Sequence, residues 1–471
     1  MTDVLARLRE LQQADLPTHG GSTLAYVYDS GLAEADELGR QALALYGATN
    51  GLDPTVFPSL RALENELVGW AARLLRGPDA VGTVTSGGTE SVLLAVQAAR
   101  DASPGITSPS MVLPSTAHAA FHKAAHYFGV RAVVVDVDPA TFRAKPAEMA
   151  AACDDTTVLL VAGAPSYAHG VVDPVEEIAA LAADRGIRCH VDACIGGWVL
   201  PYLRLDGVEV PAFDFTVPGV TSVSVDLHKY AYTPKGASIL LHRDPGLRRA
   251  QFFASADWPG YTMLNSTLQS TKSGAPLAAA WTVVRHIGDD GYRRLARTAY
   301  DATRKLAESA GAIDGLTVIA EPATTLVALR SDERADVFTI ADELVALGWF
   351  VQPQLSFRDQ GPSLHLTVSA ATADRLDELL DALAKATRAA QEAGPVQVQP
   401  ELAQAAAALD PATLDDAAFD GLLTIAGLGD TAATGTLPAR MAPVNALLDV
   451  APPRLREALL IAFLDRLMRP S

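Results

Sequence analysis

Lys229 stands in the run Ser-Val-Asp-Leu-His-Lys-Tyr (224–230), after a short apolar stretch and ahead of Thr233-Pro234-Lys235-Gly236. A His-Lys pair between a strand and a Pro/Gly turn is an unusual place for a surface lysine. Held in a dry pocket, its amine would become less basic and could condense with an aldehyde. The plainer alternative is a lysine salt-bridged near a sheet edge. Upstream, His190-Val191-Asp192-Ala193-Cys194 closes another apolar stretch. A carboxylate there could keep a heteroaromatic nitrogen protonated, or simply cap the Gly196-Gly197 turn. Earlier still, Thr85-Ser86-Gly87-Gly88-Thr89-Glu90 opens a helix. Two glycines allow close backbone approach, and the free N–H groups of a helix start attract an anion. An ordinary helix start with Thr89 as N-cap would look much the same.

The order of the three is more telling than any one. A glycine-rich anion turn, a strand-end aspartate and then a lysine after another strand is the layout of fold-type I pyridoxal-phosphate enzymes. The expected cofactor is therefore pyridoxal 5′-phosphate, with Lys229 as its Schiff-base lysine and Asp192 maintaining its ring as an electron sink. His118, His122 and His126 recur at helical spacing. Without an acidic ligand among them, a ring lying over the cofactor suits one of them better than a metal does. The other two are expected to pack or hydrogen-bond, and no metal is expected. Walker-type loops, His-Glu-x-x-His and Gly-x-Ser-x-Gly are absent from the sequence.

The elements that must position these residues are legible in outline. Apolar runs at Met111–Pro114, Ala132–Val137, Thr157–Ala162, Arg188–Val191, Ser222–Val225 and Ser238–His242 alternate with helical stretches. Strands apolar almost throughout predict a mainly parallel sheet covered on both faces, with ligands at the carboxyl ends of its strands. A long helix over Trp281–Leu306 leads to a smaller α+β unit. The expected divisions are 1–60 as an N-terminal helical segment and 61–285 as a large cofactor-binding domain. A small domain at 286–395 and a helical extension at 396–471, in which no chemistry is legible, complete the chain. The 55 acidic residues against 37 basic ones leave a net charge of −18, which repels phosphate backbones and anionic lipid. Neither nucleic-acid binding nor a membrane span is expected. Cys153, Cys189 and Cys194 form no even framework, which suits a reducing, cytoplasmic setting.

The chain resembles the sphingosine-1-phosphate lyases and their bacterial relatives, within the group II pyridoxal-phosphate decarboxylases. The resemblance rests on residues 52–61, 85–90, 117–125, 164–174, 190–197 and 228–236, in the family's order across roughly residues 25 to 390. His-Lys-Tyr-x-x-x-Pro-Lys-Gly and Phe-Pro-Ser-Leu-Arg look particular to the lyase branch. The resemblance implies a large domain with a mainly parallel seven-stranded sheet and a smaller α+β C-terminal domain. It implies Lys229 bonded to the cofactor, Asp192 at the pyridine nitrogen, His118 stacked on the ring, and Gly88, Thr89 and His228 at the phosphate. It also implies a homodimer with the active site between subunits, Thr271 reaching over from the neighbour to the cofactor. Tyr28, Asn50 and Lys235 would meet a phosphorylated substrate. Two positions depart from the family, which has His at Asp53 and Arg at Lys272; both bear on the substrate and leave the cofactor untouched. The activity implied is carbon–carbon cleavage of a phosphorylated 2-amino-3-hydroxy compound to an aldehyde and an amine. Amino-acid decarboxylation on the same apparatus is the alternative, and a silent cofactor-fold binding protein a third.

Overall fold

The computed structural model describes residues 3–400, 404, 411, 414–425 and 438–469. Helices α1 (Val4–Gln12), α2 (Ala33–Leu45) and α3 (Pro58–Leu74) lead into an alternating run. It comprises β1 (Val81–Thr85), α4 (Gly88–Asp101), β2 (Ser110–Pro114), α5 (Ala120–Phe128), β3 (Arg131–Val135), α6 (Pro146–Ala152) and β4 (Thr157–Gly163). It continues through α7 (Val175–Asp184), β5 (Arg188–Asp192), α8 (Leu200–Leu205), β6 (Ser222–Asp226) and β7 (Ser238–His242). The seven strands form one sheet in the order β1-β7-β6-β5-β4-β2-β3. β7 alone runs against its neighbours, pairing antiparallel with both β1 and β6. Strands β2, β4, β6 and β7 are buried at every residue. Helices cover both faces, so β2, β4 and β7 are mostly apolar, whereas β6, Ser-Val-Ser-Val-Asp, buries its polar residues as well.

Registers align the strand ends. Gly163 pairs with Asp192, and Asp192 with Ser224, so β4, β5 and β6 finish side by side. The loops leaving those ends carry the residues singled out above.

Beyond β7 come α9 (Pro245–Arg248), a hairpin of β8 (Phe253–Ser255) and β9 (Met263–Asn265), and the long helix α10 (Gly274–Gly311). Ser273 caps α10, which kinks at Gly288, where φ is 63°. A four-stranded antiparallel sheet then forms from β10 (Leu316–Val318), β11 (Leu326–Ser331), β12 (Gln352–Gln354) and β13 (Ser363–Thr367), in the order β10-β11-β13-β12. Helices α11 (Val337–Ala346), α12 (Ala370–Ala373) and α13 (Leu376–Ala393) pack with it. Helices α14 (Asp416–Ile425), α15 (Ala442–Val450) and α16 (Pro453–Leu467) end the described chain. Asp342 accepts from the backbone N–H groups of Met441 and Ala442, seating the start of α15 on α11.

Five features differ from the expectation. Strand β1, the β8–β9 hairpin, β10 and β12 lack a distinctive pattern: Val-Gly-Thr-Val-Thr is weakly apolar, and Gln-Pro-Gln not at all. Helix α10 begins seven residues before Trp281, because Ser273 supplies the cap.

Candidate active site

Lys229 lies in the loop joining β6 to β7, and that loop is fastened on three sides. Tyr230 donates to the carbonyl of Val368, Tyr292 of α10 donates to that of Ala231, and Ala370 N–H bonds the Tyr232 hydroxyl. Tyr232 has a left-handed backbone (φ 54°), closing the turn with its N–H on the Lys229 carbonyl. The Lys229 amine faces a cavity of about 400 Å³. Its partner is Asp226, 2.9 Å away and 98% withdrawn from solvent (side chain 2% exposed). Asp226 also accepts from Ser238 Oγ at 2.6 Å.

Here the expected lowering of the amine is overturned. Burial does press it down, but Asp226, with Tyr28 and Cys194, outweighs that and holds the amine well above the ordinary lysine range. Asp226 lies below its usual range in turn: Lys229, His228 and Ser238 overcome the opposing effect of burial.

The glycine turn forms the floor beside this pair. A Cβ on Gly88 would lie 2.7 Å from an Asp226 oxygen and 2.8 Å from Cys194 Sγ, so only glycine fits. A Cβ on Gly87 would come to 3.3 Å from the His228 ring. Helix α4 starts at Gly88 with Gly87 as N-cap, which places Thr89 inside the first turn and corrects its reading as the cap. His228 Nδ1 is buried and has no partner among the described residues. An orphaned imidazole nitrogen opposite a bare helix start is the donor set an anion requires. Pyridoxal phosphate fits these residues: an amine for its aldehyde, and a cradle for its phosphate.

Asp192 lines the same cavity at the end of β5. One of its oxygens accepts from Cys194 N–H at 3.1 Å and from Ser224 Oγ at 3.4 Å, which fixes its direction. His118 lines the cavity too, but it precedes α5, and its Nδ1 accepts from Ala120 N–H. The three histidines therefore do not share a helix face. His122 and His126, expected to pack or hydrogen-bond, lie exposed on α5. Tyr167, not singled out from sequence, lines the cavity edge-on to His118 and stacks on buried His365 at 4.0 Å.

The residues expected at the substrate separate into two groups. Lys235 stays with Lys229: its amine donates to the carbonyls of His228 and Tyr26 and lies 4.8 Å from the centre of the Tyr28 ring. Burial, and the charge of Lys229, push that amine down to about 8. Neither Lys235 and Tyr28 nor Asn50, Asp53 and Thr271 are among the residues lining the Lys229 cavity. Asn50 bridges to Ser273, and Asp53 lines a second cavity of about 520 Å³ beside Lys272. The Asp53 carboxylate turns onto its own loop, accepting from Thr55 N–H and Oγ1.

Two glutamates that sequence reasoning missed join these regions. Glu64 accepts from Val84 N–H and from Lys272, which also donates to the Val84 carbonyl. Glu90, buried, accepts from Ser86 N–H at 2.6 Å and Leu268 N–H at 2.8 Å. Together they fasten the segment 268–272 to the glycine turn.

The conserved domain of pyridoxal-dependent decarboxylases matches residues 36–332. The chain belongs to that family and is a pyridoxal-phosphate-dependent lyase. A C-terminal domain of pyridoxal-dependent enzymes, described as helix-turn-helix, matches residues 400–466, where no chemistry was legible. Among relatives, the sphingosine-1-phosphate lyase of Dictyostelium discoideum is 36% identical over 370 residues, covering 78% of this chain and 69% of that protein. The Rattus norvegicus sphingosine-1-phosphate lyase 1 is 38% identical over 74% of this chain, which spans only 61% of its length. A Methanothermobacter thermautotrophicus protein named as an L-tyrosine/L-aspartate decarboxylase is 35% identical over 67% of this chain and 85% of its own. The solved Burkholderia pseudomallei sphingosine-1-phosphate lyase superposes with a TM-score of 0.78 at 32% identity, covering 83% of this chain and 91% of that one.

Proposed function

We propose that the chain cleaves the Cα–C3 bond of a phosphorylated 2-amino-3-hydroxy compound, releasing an aldehyde and a phosphorylated amine. The observation that carries this is Lys235. Its ammonium stands beside the Lys229 loop, on the carbonyls of His228 and Tyr26 and near the Tyr28 ring, and so offers a charge to a second phosphate. Bound pyridoxal phosphate supplies the electron sink that makes breaking a bond to Cα possible. The protein's part is to hold and orient. Lys229 provides the amine, Asp192 the charge that keeps a pyridine nitrogen protonated, and His118 a ring face. Gly88, Thr89 and His228 would hold the phosphate, while Tyr28 stands beside Lys235.

Asn50 and Asp53 lie beside Ser273 and Lys272, in the segment with Thr271, which suits a homodimer in which a second copy brings this segment to the site. The free state of all three cysteines agrees with a reducing, cytoplasmic setting. No helix among the described residues is long and apolar enough to cross a membrane. Decarboxylation of an amino acid is the second reading, because the decarboxylase relative is 35% identical, against 36% for the Dictyostelium lyase, over a shorter stretch of this chain.

The test is incubation of the cofactor-loaded protein with sphinganine 1-phosphate and, separately, with a panel of amino acids. Long-chain aldehyde release supports cleavage; carbon dioxide release without aldehyde overturns it in favour of decarboxylation. Lys229→Ala should abolish both activities and the visible absorbance of the bound cofactor.

A further inference from the structure

We propose that Asp226 is an ion-pair brake on Lys229, holding the lysine protonated and parked whenever it is not bonded to the cofactor. This rests on reading Lys229 as the cofactor lysine. Condensation with an aldehyde needs the neutral amine, whose lone pair forms the new bond to carbon. The proton of the ammonium must leave first; the amine's two remaining hydrogens then depart with the carbonyl oxygen as water. At 2.9 Å from a buried carboxylate, Lys229 resists that first loss.

The geometry is specific. Ser238, at the start of antiparallel β7, donates to Asp226 at 2.6 Å and fixes it as the charged acceptor. The shape of Gly88 lets the helix start close over the same carboxylate. Other titratable groups face the pair from each side. Tyr28 comes from the N-terminal segment, and Cys194 and Asp192 from the end of β5. Tyr167 and His365 approach from the loop after β4 and from β13, and both are influenced by the Lys229 charge. From the lysine's own loop come His228, 3.7 Å from Asp226, and Lys235. Of these, Asp226 alone bonds the Lys229 amine directly. A lysine released during turnover would return to the same partner.

The full chain, stripped of cofactor, is mixed with pyridoxal 5′-phosphate, and growth of the visible absorbance band is followed against pH. In the parent protein the uptake rate should rise steeply with pH. Asp226→Asn should move that rise down by roughly one to three pH units, the usual effect of one close counter-charge. Asp226→Glu, retaining the charge, should keep the parent profile. An unshifted Asp226→Asn profile overturns the brake while leaving the cofactor reading intact; no band in the parent protein overturns the cofactor reading itself. A variant-free measurement guards against misfolding. The parent protein is treated with pyridoxal and borohydride across pH, and labelling at Lys229 and Lys235 is compared by peptide mass spectrometry. Lys229 should label at higher pH than Lys235; labelling at the same or lower pH overturns the proposal.

Discussion

On the proposed reading, Lys235 meets the substrate phosphate through one charge, and that charge is lost within an accessible pH range. Its amine titrates near 8, so it is protonated below that pH and neutral above it. Affinity for a phosphorylated substrate should therefore fall as pH rises through about 8, partly offset because a bound phosphate favours the charged form. Lys235→Gln should raise KM roughly tenfold or more, the worth of one charge-assisted hydrogen bond, with little change in kcat. Its KM should no longer vary across that pH range. A variant with unchanged KM would remove Lys235 from the substrate site. Residue type and order made Lys229, Asp192 and Gly88 legible, because few other roles combine those types at successive strand ends. Asp226 was equally visible as a letter, but its role was not. Only the fold reveals that Ser238 arrives to orient it and that Gly88 leaves it room.

Among the elements, the glycine turn depends on carboxylates that sequence cannot distinguish from solvated ones. Glu90 sits in the first turn of α4, where an acidic residue is unremarkable. In the structure it is buried and joins Ser86 to Leu268. Glu90→Ala would leave two backbone donors without partners, at about 1–3 kcal/mol each where no water replaces it. The expected outcome is a lower denaturation midpoint together with weaker cofactor binding, measured by equilibrium dialysis. Weaker stability with cofactor affinity intact would show that Glu90 supports the fold alone. The same limit explains the strands. Buried β2, β4 and β7 announce themselves by apolar runs, whereas β12 is set by pairing with β13 and has no pattern of its own. Lys272 looked like a substrate contact, yet it is held against Glu64 and the Val84 carbonyl.

At the scale of the molecule, several histidines are buried in their neutral form. Burial holds His169, His190 and His242 down to about 4 and His365 to about 3, against 6.5 for an ordinary histidine. The unfolded chain takes up protons near pH 6.5 that the folded chain refuses. The stability these groups contribute is thus present above 6.5 and lost as pH falls toward 4. Each could contribute a loss of up to about 2 kcal/mol between pH 7 and pH 5. Urea midpoints at those two values should differ clearly, and equal midpoints would contradict the burial of these rings. The placement of Asn50 and Asp53 beside Ser273 and Lys272 was not legible either, since a linear motif does not say which segments the fold brings together. The topology also orders events in time. β1 is an edge strand whose neighbour in the sheet is β7, with Val81 against His242 and Thr85 against Ser238. A growing chain can therefore emerge with β1 and its glycine turn long before the strand that holds them exists. Pairings this distant in sequence form late. The cradle, first of the three motifs to be translated, would be among the last to take shape, and a chain stalled before residue 238 should have no grip on the cofactor.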